Sequence, residues 1–156
     1  MRWYDLPMAH EDDFGCDLGN ASMPTATVIP VLNYADAAAA ATWLCRTFGF
    51  TLRLRIGDHR MQLKAGSGAI VVAKLDADVA GAQPANHSIM VRVANVDRHF
   101  QKALKEGACV CGEPACMPYG ERQYTAIDPG GHRWTFSQTV ANVDPQLWGG
   151  DLVDGT

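Results

Sequence analysis

An internal repeat constrains this chain more than any single motif does. The same order of predicted elements, one strand, one helix and three strands, occurs twice within 156 residues. The last hairpins of the two halves, RMQLKAGSGAIVVAK and RQYTAIDPGGHRWTF, each place a glycine turn between two alternating strands. A duplicated unit of this size predicts two similar modules. With 47% hydrophobic residues, the chain has enough apolar material for one shared core, and hence for one domain.

The first module is predicted over residues 23–77. ATVIPVLNY has the composition of a strand, and Asp36 is placed to cap the helix AAAAATWLCRTF, which Gly49 ends. Two alternating strands and one continuously apolar strand, AIVVAKL, follow. The pattern therefore predicts β-α-β-β-β.

The second module is predicted over residues 87–138, after a linker of small and polar residues at 78–86. Its first strand is SIMVRVA, and its helix begins after Asn95 or Asp97. A strand ACVC, a longer loop GEPACMPYGE and the closing hairpin complete the repeat. Residues 139–156 form a C-terminal tail.

Charge is concentrated in residues 1–22. The chain has 13 basic and 17 acidic residues, and this acidic N-terminal extension alone accounts for the net charge of −4. We expect the extension to be peripheral to folding. The remaining, formally neutral body has no basic stripe, which argues against a nucleic-acid partner. No apolar run approaches the ~20 residues of a spanning helix, and the N-terminus lacks a signal-peptide pattern, so we expect a cytoplasmic protein without a membrane partner.

The five cysteines do not predict a disulfide framework or a metal site. They are odd in number in a chain without an export signal, so reduced thiols are expected. Cys109, Cys111 and Cys116 give C-x-C-x4-C, which departs from the four donors and usual spacing of structural zinc. We expect these residues and Cys45 to act as small hydrophobic side chains, and we expect no cofactor.

Three segments resemble the vicinal-oxygen-chelate family of glyoxalases, bleomycin-resistance proteins and extradiol dioxygenases. They are IPVLNYADAAAAATWLCRTFGF, VRVANVDRHFQKALKEGA and YGERQYTAIDPGGHRWTF, within residues 26–138. The motif YGxRxY…DPxGHxWxF resembles that of a glyoxalase-like branch of the family. The resemblance implies an α+β fold in which two βαβββ modules form a curved mixed sheet around a cavity. Family activities include glyoxalase, dioxygenase, thiol transfer to fosfomycin and drug sequestration, so membership alone does not name the chemistry.

The resemblance also implies where metal ligands would lie. Metal-dependent members offer His, Gln or Glu from four strands, and counting from anchors such as Asp36 gives the corresponding positions as Ile29, Val71, Ser88 and Thr135. Two hydrocarbon and two hydroxyl side chains do not hold a divalent ion. His87 lies one residue away from a ligand position, so strand alternation turns it from the cavity. We therefore expect a site without metal.

The predicted ligand site combines this cavity with the long second-half loop. Trp134 and Phe136 should face the helices, which leaves Arg133, Thr135 and Ser137 on the cavity side. In the loop, tyrosine rings and a guanidinium group suit an orienting rim, and Arg122 could hold an anionic ligand. Alternatively, Tyr119 and Tyr124 pack the sheet edge, and Arg122 is solvated or pairs with Glu121 or Glu113. The predicted ligand-binding residues are Ile29, Val31, Val71, Ser88, Tyr119, Arg122, Tyr124 and Thr135.

Three functions remain open from the sequence. The first is metal-free binding or sequestration of a small organic molecule, without metal-dependent glyoxalase activity. The second is a lyase-like or dioxygenase-like enzyme with no metal or with a shifted ligand set that includes His87 and Glu121. The third is a dimeric interaction module without a ligand. The family resemblance also implies a homodimer, in which Trp148 of DPQLWGG would dock across the interface.

Overall fold

The repeat predicted from the sequence is present in the structure, a computed structural model that describes residues 20–75, 87–150 and 152. The acidic extension up to residue 19, the predicted linker 78–86 and most of the last six residues lie outside the described residues. The first module contains β1 (Val31–Tyr34), α1 (Ala37–Phe48), β2 (Thr51–Ile56), β3 (Arg60–Ala65) and β4 (Gly68–Lys74). The second contains β5 (Ser88–Arg92), α2 (Val96–Lys105), β6 (Cys109–Val110), β7 (Ala115–Cys116), β8 (Glu121–Ile127) and β9 (Arg133–Thr139). A short 3-10 helix, Pro145–Trp148, follows.

The strands form two separate sheets, one for each module. The first sheet has the order β1-β4-β3-β2, and the second has the order β5-β9-β8-β6, with β7 also paired to β8. In both sheets the first strand lies parallel to the last strand of its module, while the remaining pairs are antiparallel. The α+β class and the two βαβββ modules are thus confirmed. The strand β7 adds to the predicted repeat, and it forms within the long loop because Ala115 and Cys116 pair with Gln123 and Arg122.

Capping residues fix both helices where the sequence indicated. The Asp36 side chain accepts a hydrogen bond from the Ala39 amide at 2.9 Å, and Gly49 ends α1 with a φ of 79°. At α2, the Asn95 side chain accepts from the Arg98 amide at 2.9 Å, which decides between the two predicted starts in favour of Asn95. No helix in the described parts of the chain is long and apolar enough to cross a membrane.

One hydrophobic core joins the two modules. Phe48, at the end of α1, contacts Trp134 and Phe136 of β9, with ring centroids 5.7 and 4.7 Å apart. Trp134 and Phe136 are both fully buried, which confirms that they face the helices. Each sheet therefore turns its helix-covered side toward the same core.

A buried carboxylate strengthens this junction. Asp128, in the turn between β8 and β9, accepts hydrogen bonds from the Tyr34 hydroxyl of β1 at 2.5 Å and from the Trp134 indole at 2.9 Å. Its other oxygen accepts from the amides of Gly130 and His132. Burial and the neighbouring Asp128 raise the pKa of Tyr34 above its ordinary value, so the hydroxyl keeps its proton. The turn of the second module is thereby tied to the first strand of the chain.

The packing determines where a ligand could lie. We call the side of the first sheet opposite its helix the first open face, which carries Gln62 and Val71, and the corresponding side of the second sheet the second open face, which carries Gln123 and Thr135. Because the helix sides share one core, the two open faces are directed away from it. The structure thus has two separate mixed sheets in place of the single curved mixed sheet that the resemblance implied.

Candidate functional site

A row of hydrogen-bonded side chains crosses the second open face. At its centre, the Glu121 carboxylate of β8 accepts hydrogen bonds from the Ser137 hydroxyl at 2.5 Å and from the Thr139 hydroxyl at 2.6 Å, both on β9. Alternation explains the arrangement, since residues two apart on a strand share a face and Glu121 pairs directly with Thr139. These hydroxyl donors lower the pKa of Glu121, so its carboxylate is ionised at neutral pH.

The row continues from Ser137 toward the long loop. The Gln123 amide donates to the Ser137 hydroxyl at 3.0 Å, and the Tyr119 hydroxyl donates to the Gln123 carbonyl oxygen at 3.0 Å. Gln123 is only 7% exposed, and the ring of Tyr119 packs against Trp148 at 5.4 Å. The loop and the C-terminal 3-10 helix thus support one end of the row.

Two further contacts extend the polar surface. Arg92 of β5 donates to the Thr139 hydroxyl at 2.7 Å, which brings a guanidinium group beside the Glu121 carboxylate. Thr125 and Thr135 face each other across β8 and β9, with their hydroxyl oxygens 3.1 Å apart. The prediction that Thr135 and Ser137 lie opposite the helix side is confirmed by this placement. We call the set Arg92, Tyr119, Glu121, Gln123, Thr125, Thr135, Ser137 and Thr139 the polar row.

The first open face has a different composition. Small apolar residues of β4 cover its centre, and Val71 is 2% exposed. Beside Val71 in the register lie Val31, which is 49% exposed, and Gln62, which is 4% exposed. Ile29, just before β1, is partly buried. This face therefore combines small hydrocarbon side chains and one buried amide with the basic side chains of Arg53, Arg60 and Lys64.

Comparison with known proteins identifies the family to which this chain belongs. The sequence profile of the Glyoxalase/Bleomycin resistance protein/Dioxygenase superfamily matches residues 26–136. The chain belongs to this superfamily. Among solved structures, TioX from Micromonospora sp. ML1 is 31% identical, covers 75% of this chain and 98% of its own, and superposes with a TM-score of 0.61. The family resemblance predicted from the sequence is thus confirmed.

More distant matches support the fold alone or cover little of the chain. A glyoxalase/bleomycin resistance protein/dioxygenase from Nocardioides is 17% identical with a TM-score of 0.60, covering 80% of this chain and 87% of its own. An uncharacterized protein of Mycobacterium bovis is 37% identical over 57 residues, which span 36% of this chain and 38% of that relative. The match therefore spans well under half the length of this curated relative.

The superfamily includes metal-dependent members, but the side chains at the corresponding positions of this chain do not fit a divalent ion. Ile29 and Val71 offer no donor atom, and the hydroxyls of Ser88 and Thr135 are weak neutral ligands. In the register, Ser88 pairs with Arg133 whereas Thr135 pairs with Met90. Among the residues that the structure describes, no three His, Cys, Asp or Glu side chains are grouped as a metal site.

The shifted ligand set considered from the sequence is also separated in space. His87 lies beside His132, with ring centroids 5.6 Å apart, next to the start of β9. Glu121 pairs with Thr139 at the end of β9. Thr139 is six positions after Arg133 along the strand, which corresponds to about 20 Å. His87 and Glu121 therefore do not share one ion.

Two predicted rim residues lie on the helix side of β8 instead of the second open face. Tyr124 is 3% exposed and its hydroxyl bonds to His99 Nδ1 at 2.7 Å, while burial raises its pKa. Arg122 donates to Asp97 of α2 at 2.8 Å, and this partner is neither Glu121 nor Glu113. Both corrections have the same cause, since alternation puts Tyr124 and Arg122 on the side of Ala126, which faces the core.

The cysteines differ partly from expectation. Cys45 is partly buried against the core, as predicted, but Cys109, Cys111 and Cys116 are exposed. The exposure arises because β6 and β7 are two-residue strands at the border of the second sheet. These three thiols are therefore surface groups and not core residues.

Proposed function

We propose that this protein binds a small organic molecule on the second open face without using a metal ion. The observation that carries the proposal is the polar row, in which donors and acceptors are held in fixed positions by one another. Ligand sites commonly combine apolar area with a few oriented polar groups. Met90, 64% exposed and paired with Thr135, supplies apolar area beside the row.

The chemistry of the row favours binding over proton transfer. A general base works best when its pKa lies near the working pH, because it must both lose and accept a proton. The two hydroxyl donors lower the pKa of Glu121, which makes its carboxylate a weak base. Glu121 and Arg92 would instead orient a ligand through charge-assisted hydrogen bonds.

A homodimer would complete the site. The second open face lies on the outside of the single chain, so a bound molecule needs a second wall to be enclosed. Val31 on the first open face and Met90 on the second are exposed apolar residues that a partner copy would cover. We propose that the first open face of one copy lies against the second open face of the other. Sedimentation should give twice the 16.9 kDa chain mass, and a monomer at micromolar concentration would contradict this arrangement.

The ligand site is tested by a thermal-shift screen of small organic compounds followed by titration of a hit. We expect Gln123→Met and Thr135→Val to weaken binding by about 3- to 10-fold each, since a hydrogen bond contributes about 0.5 to 1.5 kcal/mol. Gln101→Met is the matched control, because Gln101 is exposed on α2. Equal affinity in all folded variants would place the site elsewhere.

A further inference from the structure

A short N-terminal segment lies across the first open face and is held there by two side chains. We call residues 20–24 the lead segment. The Arg53 guanidinium of β2 donates to the Ala21 carbonyl at 2.8 Å, and the Gln62 amide of β3 donates to the Ser22 carbonyl at 2.8 Å. Pro24 is buried directly after these contacts. Two successive peptide carbonyls are thus bound by two neighbouring strands.

The two donors are oriented by each other. Arg53 uses its other terminal nitrogen to donate to the Gln62 side-chain oxygen at 2.5 Å. That contact fixes the direction of the Gln62 amide, since the oxygen faces the guanidinium and the nitrogen must then face the lead segment. Arg53 and Gln62 therefore form a preset pair of donors, at a position where Gln62 is 4% exposed.

Arg53 and Gln62 bond to main-chain carbonyls of the lead segment and not to its side chains. Ala21 and Ser22 are both exposed, while their carbonyl oxygens are the bonded atoms. A turn holds these carbonyls in place, because the Asn20 side chain accepts from the Ser22 amide at 2.9 Å and the Asn20 carbonyl accepts from the Met23 amide at 3.1 Å. Any peptide that presents two successive carbonyls in this turn could make the same bonds.

We propose that Arg53 and Gln62 form a binding site for the main chain of a peptide, which the lead segment fills in the free protein. The site lies on β2 and β3, whereas Val31, proposed above for the dimer contact, lies on β1 at the other edge of the sheet. The inference therefore does not rest on the proposed small-molecule function.

A tethered occupant determines how the site responds to a peptide in solution. The lead segment competes at an effective concentration in the millimolar range, so an external peptide binds weakly until the tether is loosened. Asn20→Ala removes the side-chain acceptor of the turn without altering Arg53 or Gln62. This variant should bind an external peptide about 5- to 10-fold more tightly than the unaltered chain does.

The experiment uses the full chain and an acetylated, amidated peptide of residues 20–26, Asn-Ala-Ser-Met-Pro-Thr-Ala. Nuclear magnetic resonance follows the Gln62 side-chain amide during titration to peptide concentrations about tenfold above the millimolar effective concentration. We expect saturable shifts in the Asn20→Ala chain and weaker binding in the unaltered chain. A peptide with a thioamide at Ser22, whose sulfur is a poorer acceptor, should bind less tightly.

Two variants separate this site from an incidental contact. Gln62→Met should abolish the shifts, followed in this variant at the amides of β2 and β3, whereas the exposed Gln101→Met should leave them unchanged. Absence of peptide-induced shifts at β2 and β3 in the Asn20→Ala chain would overturn the proposal, and so would binding that survives Gln62→Met. A failure here leaves ligand binding at Gln123 unaffected, because that site is followed by different signals on the other sheet.

Discussion

The two open faces of this duplicated chain each contain a buried glutamine on a strand that lies inside the sheet, but the two amides have different partners. Gln62 bonds to the main chain of the lead segment, whereas Gln123 bonds to side chains of its own face. Gln62 lies between the apolar residues of β4 and the Arg53 guanidinium, beneath the lead segment. Gln123 is surrounded by hydroxyl groups and a carboxylate. The comparison teaches that the module fixes the strand positions, while the side chains on each open face decide what that face can bind.

Both open faces depend on the same hydrophobic core. The substitution Trp134→Ala tests this dependence, and we expect it to have the largest effect on stability. Trp134 is fully buried, contacts Phe48 of the first module and donates to Asp128. We expect a loss of about 3 to 5 kcal/mol in the free energy of unfolding, because a large aromatic side chain leaves a cavity. Hydrogen exchange should show both sheets destabilised together. Loss of protection in the second sheet alone would show that the modules are independent.

The glutamines themselves should differ in their contribution to stability. Gln123→Met leaves Ser137 and Tyr119 short of a partner at a buried position, and we expect a cost of about 1 to 2 kcal/mol. Gln62→Met should cost less than about 1 kcal/mol, because the Ser22 carbonyl can bond to water once the lead segment detaches. Urea unfolding of both variants measures the difference. Equal losses in the free energy of unfolding would mean that the contact of Gln62 with the lead segment is as firmly part of the fold as the polar row, which would contradict our account.

The junction between the modules should make stability depend on pH. The Phe48 carbonyl can only accept, so His99 Nε2 donates to it at 2.9 Å, and Nδ1 then accepts from the Tyr124 hydroxyl at 2.7 Å. Burial lowers the pKa of His99 below its ordinary value of 6.5, and nearby Lys102 acts in the same direction. The folded state therefore prefers neutral His99, and its contribution is complete above pH 6.5 and lost as pH falls toward the lowered pKa. The unfolding midpoint of His99→Gln should change less between pH 7 and pH 5 than the midpoint of the unaltered chain does. An equal change in both would contradict this role.

The smallest expected effect comes from the helix side of β8. Arg122 forms an exposed ion pair with Asp97, which also lowers the pKa of Asp97. Such pairs contribute little, so Arg122→Ala should leave the fold intact and change ligand affinity by less than about 2-fold. Titration of the same screening hit measures this. A large loss of affinity would mean that the ligand contacts the helix side of β8 and that the second open face is not the binding site.

Much of the fold could be predicted from the sequence because its signals are local. Asp36 and Gly49 mark the ends of α1, and alternation correctly separated Trp134 and Phe136 from Thr135 and Ser137. The same alternation, applied to β8, would have placed Gln123 on the open face and Tyr124 in the core. The aromatic and cationic character of the loop suggested a rim instead, and that choice was wrong for Tyr124 and Arg122.

Other features had no signal in the sequence. The contact of Gln62 with Ser22 joins a side chain to a main-chain carbonyl 40 residues away, and every residue has such a carbonyl. The direction of the two open faces likewise depends on how α1 packs against β9. Packing between modules arises from long-range contacts such as Phe48 with Trp134, which periodicity within one module does not specify.

The most direct measurement of the central claim is ligand binding followed by nuclear magnetic resonance with and without a metal chelator. Our account predicts that a screening hit shifts the signals of Gln123, Thr125 and Thr135 on the second open face. The same affinity should be found in excess chelator, because Ile29, Val71, Ser88 and Thr135 are unsuited to hold a divalent ion. Binding that disappears with the chelator and returns with added metal would contradict metal-free binding. Shifts confined to residues outside the polar row would contradict binding on the second open face.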